Sequence, residues 1–352
     1  MQRHLKSSLV LLSMLTLLSA CTGKPVENVQ DPTPEPPPAP SVETPTEEEP
    51  TYAYTAPLTG HGSNQPPEQR PVMVMINNAP QARPQSGLNQ ADIVYEVLAE
   101  GEMTRFLTVF QSQKPEVIGP VRSIRPYFIQ IGAGFDALLI HAGGSPEALA
   151  TLSRSKKYSH LDEIPNGKYF WREKSRKAPH NLYTNPELIE QAMEEKGMQK
   201  PVEPIRFTFL PEDAEISGGT PATKVEITFH SLNKAMFQYD SEEKKYMRFT
   251  NGEPHYDLND NKQLSATNLL VVAARHRVLD SEGRREVDVE GPGDGYLFQQ
   301  GKVQKIRWKR SDGVIRAYED EAMTKEMPLL PGQTWVEIVP DTPDIAQHVK
   351  YE

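Results

Sequence analysis

The chain has a single cysteine, Cys21, and it stands at the end of an N-terminal export segment. Arg3 and Lys6 give this segment a positive start, and a short apolar run over residues 9–18 follows. The run is too short for an ordinary membrane-spanning helix and is typical of a signal peptide. The residues Leu18-Ser19-Ala20 before the cysteine complete a lipobox, in which a peptidase cleaves before Cys21 after its sulfur receives a diacylglyceryl group.

Lipidation of Cys21 would leave the folded part of the protein without any thiol. Disulfide bonds, a cysteine nucleophile and cysteine-ligated metals are then excluded, so core burial must stabilise the fold. We predict residues 1–20 as a lipoprotein signal peptide and Cys21 as the lipidation site, whose freed amine can take a further acyl chain such as palmitate. The protein would be lipid-anchored to the cell membrane on its extracytoplasmic face. A plain secretory signal with an incidental cysteine is the alternative.

The predicted tether, residues 21–57, consists of the lipidated cysteine and a segment dominated by Pro, Glu and Thr. It has almost nothing apolar to bury, so we expect it to be disordered. Extended at ~3.1 Å per residue, such a chain would hold the body up to roughly 100 Å from the lipid. A proline-rich docking motif for a partner protein is the alternative interpretation.

The rest of the chain is long enough for two modest domains or one large one. We predict two, over residues 58–212 and 223–345, because polar, Gly and Pro residues interrupt the strand-like pattern at 211–222. Beyond Cys21 no apolar run approaches the ~20 residues of a transmembrane helix. The formal net charge is −10 at pH 7, which argues against a nucleic-acid partner.

The first predicted domain mixes strands and helices. Short apolar runs predict strands at residues 72–76, 93–98, 105–110 and 137–140. Helices are predicted from Ser123 to about Gly132, from Pro146 onwards, and at 186–195, where Asn185 would cap the helix and Pro186 would take its first position.

The second predicted domain consists mainly of strands separated by turn signals such as Asn251-Gly252 and Asp312-Gly313. The predicted strands are residues 224–229, 235–239, 246–250, 269–273, 285–289, 296–299, 302–308 and 335–339. The fold class is therefore predicted as α+β: a mixed α/β N-terminal domain with a smaller, mainly β C-terminal domain.

Cationic and turn-forming residues are concentrated in the first domain of this otherwise acidic chain. Guanidinium groups recognise carboxylate or phosphate through paired donors, and a helix capped by Ser145 would offer its N-terminus to an anion. Arg122 and Arg125 could lie on neighbouring faces of one helical turn. We predict a site for an anionic or glycan-like ligand, formed by Arg105, Arg122, Arg125, His141, Gly144, Ser145, Arg172, Arg176 and His180.

A purely structural role for these residues remains open from sequence alone. Arg122 and Arg125 could pair with Glu96, Glu100 or Glu102 as internal salt bridges. In the same way, Ser145 could serve only as a helix cap.

A hydrolytic site is a further alternative, so the sequence leaves enzyme activity uncertain. Ser145 with His180 and either Asp136 or Asp162 would supply a nucleophile, a base and an orienting carboxylate, but the Gly-x-Ser-x-Gly motif is missing. No His-x-x-x-His or His-Glu-x-x-His spacing occurs, so neither a metal nor a cofactor is predicted.

Several motifs resemble the YerB-like lipoproteins of Gram-positive bacteria. They are RPVMVMINN (70–78), ARPQSGLNQAD (82–92), EGEMTR (100–105), GPVRSIRP (119–126), HAGGSP (141–146) and GQTW (332–335). The similarity covers residues 70–340. It implies an N-terminal module and a smaller C-terminal module on a lipid anchor outside the cell. It implies no catalytic residue, because the family has no established reaction.

Together these features predict a membrane-anchored cell-envelope binding or accessory protein. Its partners would be the membrane, through the lipid anchor, and a cell-wall glycan, an anionic polymer or a wall enzyme. The alternatives are a cell-wall-directed hydrolase and a protein-interaction module that regulates wall enzymes.

Overall fold

A computed structural model describes residues 52–64 and 66–352. The predicted signal peptide, Cys21 and most of the predicted tether lie outside the described residues. The described residues belong to one compact unit. They contain 23 strands and four α-helices, so strands form most of the regular structure.

The helices are short. They are α1 (Pro126–Gly134), α2 (Pro146–Arg154), α3 (Pro186–Glu195) and α4 (Ile345–His348). The strands are β1 (Tyr54–Thr55), β2 (Gly62–Ser63), β3 (Val72–Asn77), β4 (Ile93–Glu100), β5 (Met103–Phe110), β6 (Leu138–His141), β7 (His160–Asp162), β8 (Trp171–Arg172), β9 (Leu182–Tyr183), β10 (Thr220–Pro221), β11 (Lys224–His230), β12 (Asn233–Asp240), β13 (Lys245–Thr250), β14 (Glu253–Pro254), β15 (Ser265–Ala266), β16 (Asn268–Ala274), β17 (His276–Val278), β18 (Arg285–Val287), β19 (Gly293–Gln299), β20 (Lys302–Ser311), β21 (Val314–Tyr318), β22 (Thr334–Pro340) and β23 (Val349–Tyr351).

A mixed sheet of 11 strands forms the centre of the body. Its order is β10-β20-β19-β16-β22-β4-β5-β3-β6-β7, and β21 pairs with β20. Strands β16, β22, β4, β3, β6 and β7 run in one direction, because β5 is antiparallel to both β3 and β4 and the other pairings among them are parallel. We call the edge where these six strands end the carboxyl edge, and the opposite edge the amino edge.

The two parts of the sequence share this sheet. Strand β22 comes from the end of the chain, yet it lies between β16 and β4 and pairs in parallel with both. Six of its seven residues are buried. Other parts of the protein must therefore cover both faces of β22, and a neighbouring strand must pair with each of its two sides. The predicted fold class is therefore right in its two-part layout and too rich in helix, since strands dominate both parts.

A second sheet covers one face of the central sheet. It has six strands in the order β14-β13-β12-β11-β23, with β15 paired to β13. Buried and exposed residues alternate along β11 and β13, the pattern of strands with one face in the core. Val225, Phe237 and Tyr246 of this sheet belong to the same hydrophobic cluster as Phe106 and Trp335 of the central sheet.

The folded body begins before the predicted boundary at residue 58. Tyr54–Thr55 forms β1 and pairs with β2, and Ala56 is buried. The Gly332 N–H donates to the Thr59 carbonyl at 2.7 Å, close to the start of β22. The first strand of the body therefore lies beside the amino edge of the central sheet.

The predicted strands 72–76, 93–98, 105–110 and 137–140 correspond to β3, β4, β5 and β6. Helix α3 has the predicted bounds, and the Asn185 side chain accepts from the Leu188 N–H. Helix α1 starts at Pro126 instead of Ser123. Arg125 is extended, with φ −128° and ψ 159°, because a residue before proline avoids the helical region. Arg122 and Arg125 therefore do not share a helical turn.

Candidate functional site

The carboxyl edge brings together several of the predicted site residues. Arg105 is near the start of β5, beside the end of β3, and His141 ends β6. The Arg122 carbonyl accepts from the Ala142 N–H at 3.0 Å, and the Ile124 N–H donates to the Gly143 carbonyl at 3.0 Å. These bonds fix the segment before α1 against the end of β6. In open sheets the carboxyl ends of parallel strands are the usual place for a ligand.

Arg105 and Arg125 share one carboxylate, that of Glu100. Arg105 Nη2 lies 3.8 Å from Glu100 Oε1, and Arg125 Nη2 contacts the same oxygen. Each guanidinium also donates to a backbone carbonyl at 2.7 Å, Arg105 to that of Ser123 and Arg125 to that of Ile124. The ion pair expected under the structural alternative is therefore present for Arg125, through Glu100.

Arg122 differs from both. Among the described residues, its half-buried guanidinium has no hydrogen-bond acceptor and no ion-pair partner, and its Nε atom is buried. The Nε atoms of Arg105 and Arg125 are also buried without an acceptor. We call Arg105, Arg122 and Arg125 the arginine cluster. One carboxylate for three guanidinium groups leaves the cluster short of negative charge.

Electrostatics within the cluster agree with this shortage. Burial, reinforced by the positive charge of Arg122, lowers the pKa of Arg105 to about 9. Burial also lowers the pKa of Arg122 and that of Arg125. A buried charge is costly unless it is paired and hydrogen-bonded. An anion bound between these groups would supply the missing acceptors.

His180 lies at the margin of the cluster and is held neutral. Its Nδ1 lies 2.8 Å from Nδ2 of Asn77, the last residue of β3. An amide nitrogen can only donate, so Nδ1 is the acceptor and Nε2 carries the proton. Burial and the positive charges of Arg122 and Arg176 lower the pKa of His180. The Nε2 group, which has no partner among the described residues, is thus a neutral donor.

His141 is fully buried and its ring is tied to neighbouring groups. Nδ1 lies 2.9 Å from the Gly143 carbonyl, and Nε2 lies 3.1 Å from Nδ1 of His160, on which the ring stacks. Burial is the main cause that lowers the pKa of His141 to about 4. The contact with His160 joins the last residue of β6 to the first residue of β7, so His141 helps to order this part of the sheet.

Ser145 is the N-cap of α2, as predicted, and its Oγ accepts from the Ala148 N–H at 3.3 Å. Gly144 pairs with Ile124 in a short parallel bridge. The hydrolytic set proposed from the sequence is not assembled within the described residues. Ser145 bonds to no histidine, and His180 bonds to Asn77 instead.

The two carboxylates proposed for that set are also engaged elsewhere. Asp136 Oδ1 lies 3.2 Å from Arg70 Nη2, and Asp162 accepts from the Gly143 N–H at 2.8 Å.

Arg172 is the last residue of β8, Arg176 lies in the loop between β8 and β9, and both make other contacts. Exposed Arg172 pairs with Glu163 at 3.1 Å. Arg176 donates to the carbonyls of Ala82 and Pro84 at 2.8 and 2.6 Å. Its role is to hold the loop to the body, near His180 but outside the arginine cluster.

Two arginines that were not predicted from the sequence reach the same edge from the C-terminal part. Arg284 ends the turn after β17 and Arg285 begins β18, and both line a cavity of 150 Å³ with Arg125 and Ser145. The Arg285 Nε is buried without an acceptor. The signal available was an arginine pair beside a turn of an acidic chain, but no local pattern in the sequence places that turn beside α2.

A buried polar group between the two sheets was also missed. Arg248 Nη2 lies 2.6 Å from Glu96 Oε2, and Arg248 Nη1 lies 3.1 Å from Glu337 Oε1. Burial and the negative charge of Glu96 raise the pKa of Glu337 well above its usual range. All three side chains are closed to solvent, so this group joins the sheets and is not part of the site.

A larger cavity, of 610 Å³, lies at the amino edge and contains none of the predicted site residues. Its apolar lining includes Phe110, Ile118, Ile189 and Met193. The described residues contain no group of three or more His, Cys, Asp or Glu side chains placed to hold a metal ion.

Comparison with known proteins shows the family of the chain. Residues 58–199 match the N-terminal domain of a family described as a protein of unknown function (DUF3048), and residues 225–336 match its C-terminal domain. The chain is 41% identical over 289 residues to YerB of Bacillus subtilis (strain 168), covering 81% of this chain and 86% of the relative. The chain belongs to this family.

A relative with a solved structure has the same fold as this chain. The crystal structure of YerB from Bacillus subtilis matches with a TM-score of 0.76 at 38% sequence identity, covering 85% of this chain and 99% of the relative. The resemblance to YerB-like lipoproteins is thus confirmed. The name of the relative classes it as a candidate lipoprotein. Within residues 52–64 and 66–352, no helix has the length and apolar character needed to cross a membrane.

Proposed function

We propose that this protein is a lipid-anchored, extracytoplasmic binding protein whose carboxyl edge holds an anionic ligand of the cell envelope. The observation that carries the proposal is Arg122, a half-buried guanidinium without an acceptor among the described residues, beside two more buried Nε atoms that lack one. The lipobox at Cys21 and the name of the relative support the anchor.

The chemistry of the cluster favours an oxyanion. Arginine presents several N–H donors in a rigid plane and matches carboxylate or phosphate oxygens in pairs. The neutral His180 adds a donor without adding charge. A glycan would interact mainly through its own acidic groups, because the cluster offers N–H donors in excess of acceptors.

The proposal is tested with the full-length chain in an uncharged detergent and tripolyphosphate as the probe. Calorimetric titration should show binding that Arg122→Gln weakens by about 2 kcal/mol, as loss of a charge-assisted contact does. Binding should fall as salt rises, because screening acts over roughly 10 Å at 0.1 M. Arg122→Lys should restore little, since a point charge cannot replace the planar fork.

Arg172→Gln is the matched control, because Arg172 is exposed and already paired with Glu163. It should leave the affinity within about twofold. Equal affinities of the wild type and Arg122→Gln would contradict the proposal, and so would the absence of binding.

Incubation of the protein with cell-wall fragments distinguishes the proposed binding function from the two alternative functions. Retention of the protein on the fragments supports binding, and release of soluble products would favour the wall-directed hydrolase. The capture of a wall enzyme, with neither retention nor release, would favour the interaction module.

A further inference from the structure

We infer that the 150 Å³ cavity at the carboxyl edge is a phosphate subsite formed jointly by the two parts of the sequence, so that the ligand carries more than one anionic group. This inference rests on the proposed function and specifies its ligand class. The cavity is lined, among others, by Arg125, Ser145, Glu147, Asp280, Arg284 and Arg285.

The size of the cavity suits one compact oxyanion. A water molecule takes up about 30 Å³ in the liquid, so the volume of 150 Å³ corresponds to roughly five water-sized groups. A phosphate group fits within this volume, because its bonded atoms lie much closer together than neighbouring water molecules do.

Two guanidinium groups are fixed around the cavity with donors unused. The Arg125 side chain is 4% exposed, and contacts with Glu100 and the Ile124 carbonyl hold its terminal nitrogens. Arg285 Nη2 donates to the Gly101 carbonyl at 2.8 Å. The Nε atoms of both are buried and have no acceptor among the described residues.

The N-terminus of α2 borders the cavity in addition to the two arginines. Ser145 caps this nine-residue helix and Pro146 opens it, so the positive end of the helix dipole faces the same cavity. Two arginines and a helix end placed around one cavity suit the four oxygens of a tetrahedral phosphate better than the two of a planar carboxylate.

The two carboxylates that line the cavity differ in whether they are paired with a cation. Asp280 accepts from Arg284 Nη1 at 2.9 Å and from the Arg284 backbone N–H at 3.1 Å, so these two charges largely offset each other. Glu147 is exposed and has no cationic partner among the described residues. It is therefore the carboxylate that opposes an incoming phosphate.

Glu100 links the cavity to the arginine cluster, because it contacts Arg125, which lines the cavity, and also Arg105. A single anion can occupy only one of the two places. A chain of linked phosphates can occupy the cavity and also reach Arg122. The ligand class is therefore an oligophosphate or a phosphodiester chain.

The test compares tripolyphosphate and inorganic phosphate as probes of the full-length chain. Tripolyphosphate should bind at least tenfold more tightly than inorganic phosphate. Arg285→Gln should weaken tripolyphosphate binding at least tenfold. The control Arg277→Gln changes an exposed arginine of the same hairpin, paired with Glu286, and should stay within twofold. Binding of the protein to vesicles that contain phosphatidylglycerol is compared with binding to vesicles of phosphatidylcholine alone. This comparison shows whether a lipid headgroup can supply the phosphate.

Glu147→Gln gives an outcome that misfolding cannot imitate, since it should tighten tripolyphosphate binding several-fold. Unchanged affinity in both Arg285→Gln and Glu147→Gln overturns the inference. If only Arg122→Gln weakens binding, the proposed function stands and the joint subsite is wrong. If only Arg285→Gln weakens it, the subsite exists and the arginine cluster is not the main site.

Discussion

Polar side chains at the carboxyl edge differ in what compensates the free-energy penalty of removing them from water. His141 is neutral and bonded at both ring nitrogens. Arg125 is charged and paired with Glu100. Arg122 is charged and has no acceptor among the described residues. The first two contribute to the order of the edge, whereas the third would be explained by the anionic ligand proposed above.

The burial of His141 predicts a loss of stability in acid. The ring is neutral in the folded protein, where its pKa is lowered to about 4, while the unfolded chain takes up a proton below about 6.5. Stability is therefore lost as the pH falls from 6.5 towards 4. Between pH 7 and pH 5 the loss from this residue should be about 2 kcal/mol, at 1.36 kcal/mol per pKa unit.

Urea unfolding of the wild type and His141→Asn at both pH values checks this. The variant should be less stable at pH 7 and lose less on acidification. His61→Gln, at a half-exposed histidine, should retain the wild-type slope. If the unfolding free energy of His141→Asn changes with pH as steeply as that of the wild type, the neutral ring is not the cause of the loss of stability in acid.

At the scale of elements, the start of α2 depends on one side chain. Ser145→Ala removes the Oγ that accepts from the Ala148 N–H and should lower the free energy of unfolding by about 1 kcal/mol. Thermal unfolding measures the change. Ser153→Ala, on the exposed side of the same helix, should cost much less. Equal effects would mean that the cap contributes nothing.

Local signals explain why the elements were largely predictable from the sequence. Asn185 and Pro186 mark the start of α3 because capping is a contact between neighbours in sequence. Short apolar runs reveal β3 and β22 for the same reason. The position of Arg122 was predicted less well, because Pro126 keeps the preceding residue extended and delays the helix.

The partners of the site residues could not be predicted in this way. Arg285 reaches Gly101 and the cavity beside Ser145 only because the C-terminal strands join the central sheet. Such non-local pairing leaves no periodic signal in either segment. The nine predicted residues therefore included the arginine cluster and missed the arginines opposite it.

At the scale of the whole molecule, Arg248 joins the two sheets. Its guanidinium lies between Glu96 and Glu337, with its central carbon 4.7 Å from the Trp335 ring centroid. Arg248→Met should destabilise the protein by about 3–5 kcal/mol, because it leaves buried carboxylates without their cation. Denaturant unfolding measures this loss.

Replacing the carboxylates as well should recover part of the loss, because it removes the buried negative charges that Arg248→Met leaves without a cation. The triple variant Arg248→Met, Glu96→Gln and Glu337→Gln is therefore expected to be more stable than Arg248→Met alone. The opposite order would show that packing of the guanidinium, and not its charge, joins the sheets.

The first strand of the body lies beside the amino edge, and the arginine cluster lies at the carboxyl edge. Tension between the lipid anchor and a bound ligand would therefore run along the central strands. The eight-residue β4 spans about 26 Å at 3.3 Å per residue. Under tension in this direction neighbouring strands are sheared, and their hydrogen bonds must break together instead of one after another. Under the proposed anchoring and binding, the central sheet is oriented to resist being pulled apart between the membrane and the ligand.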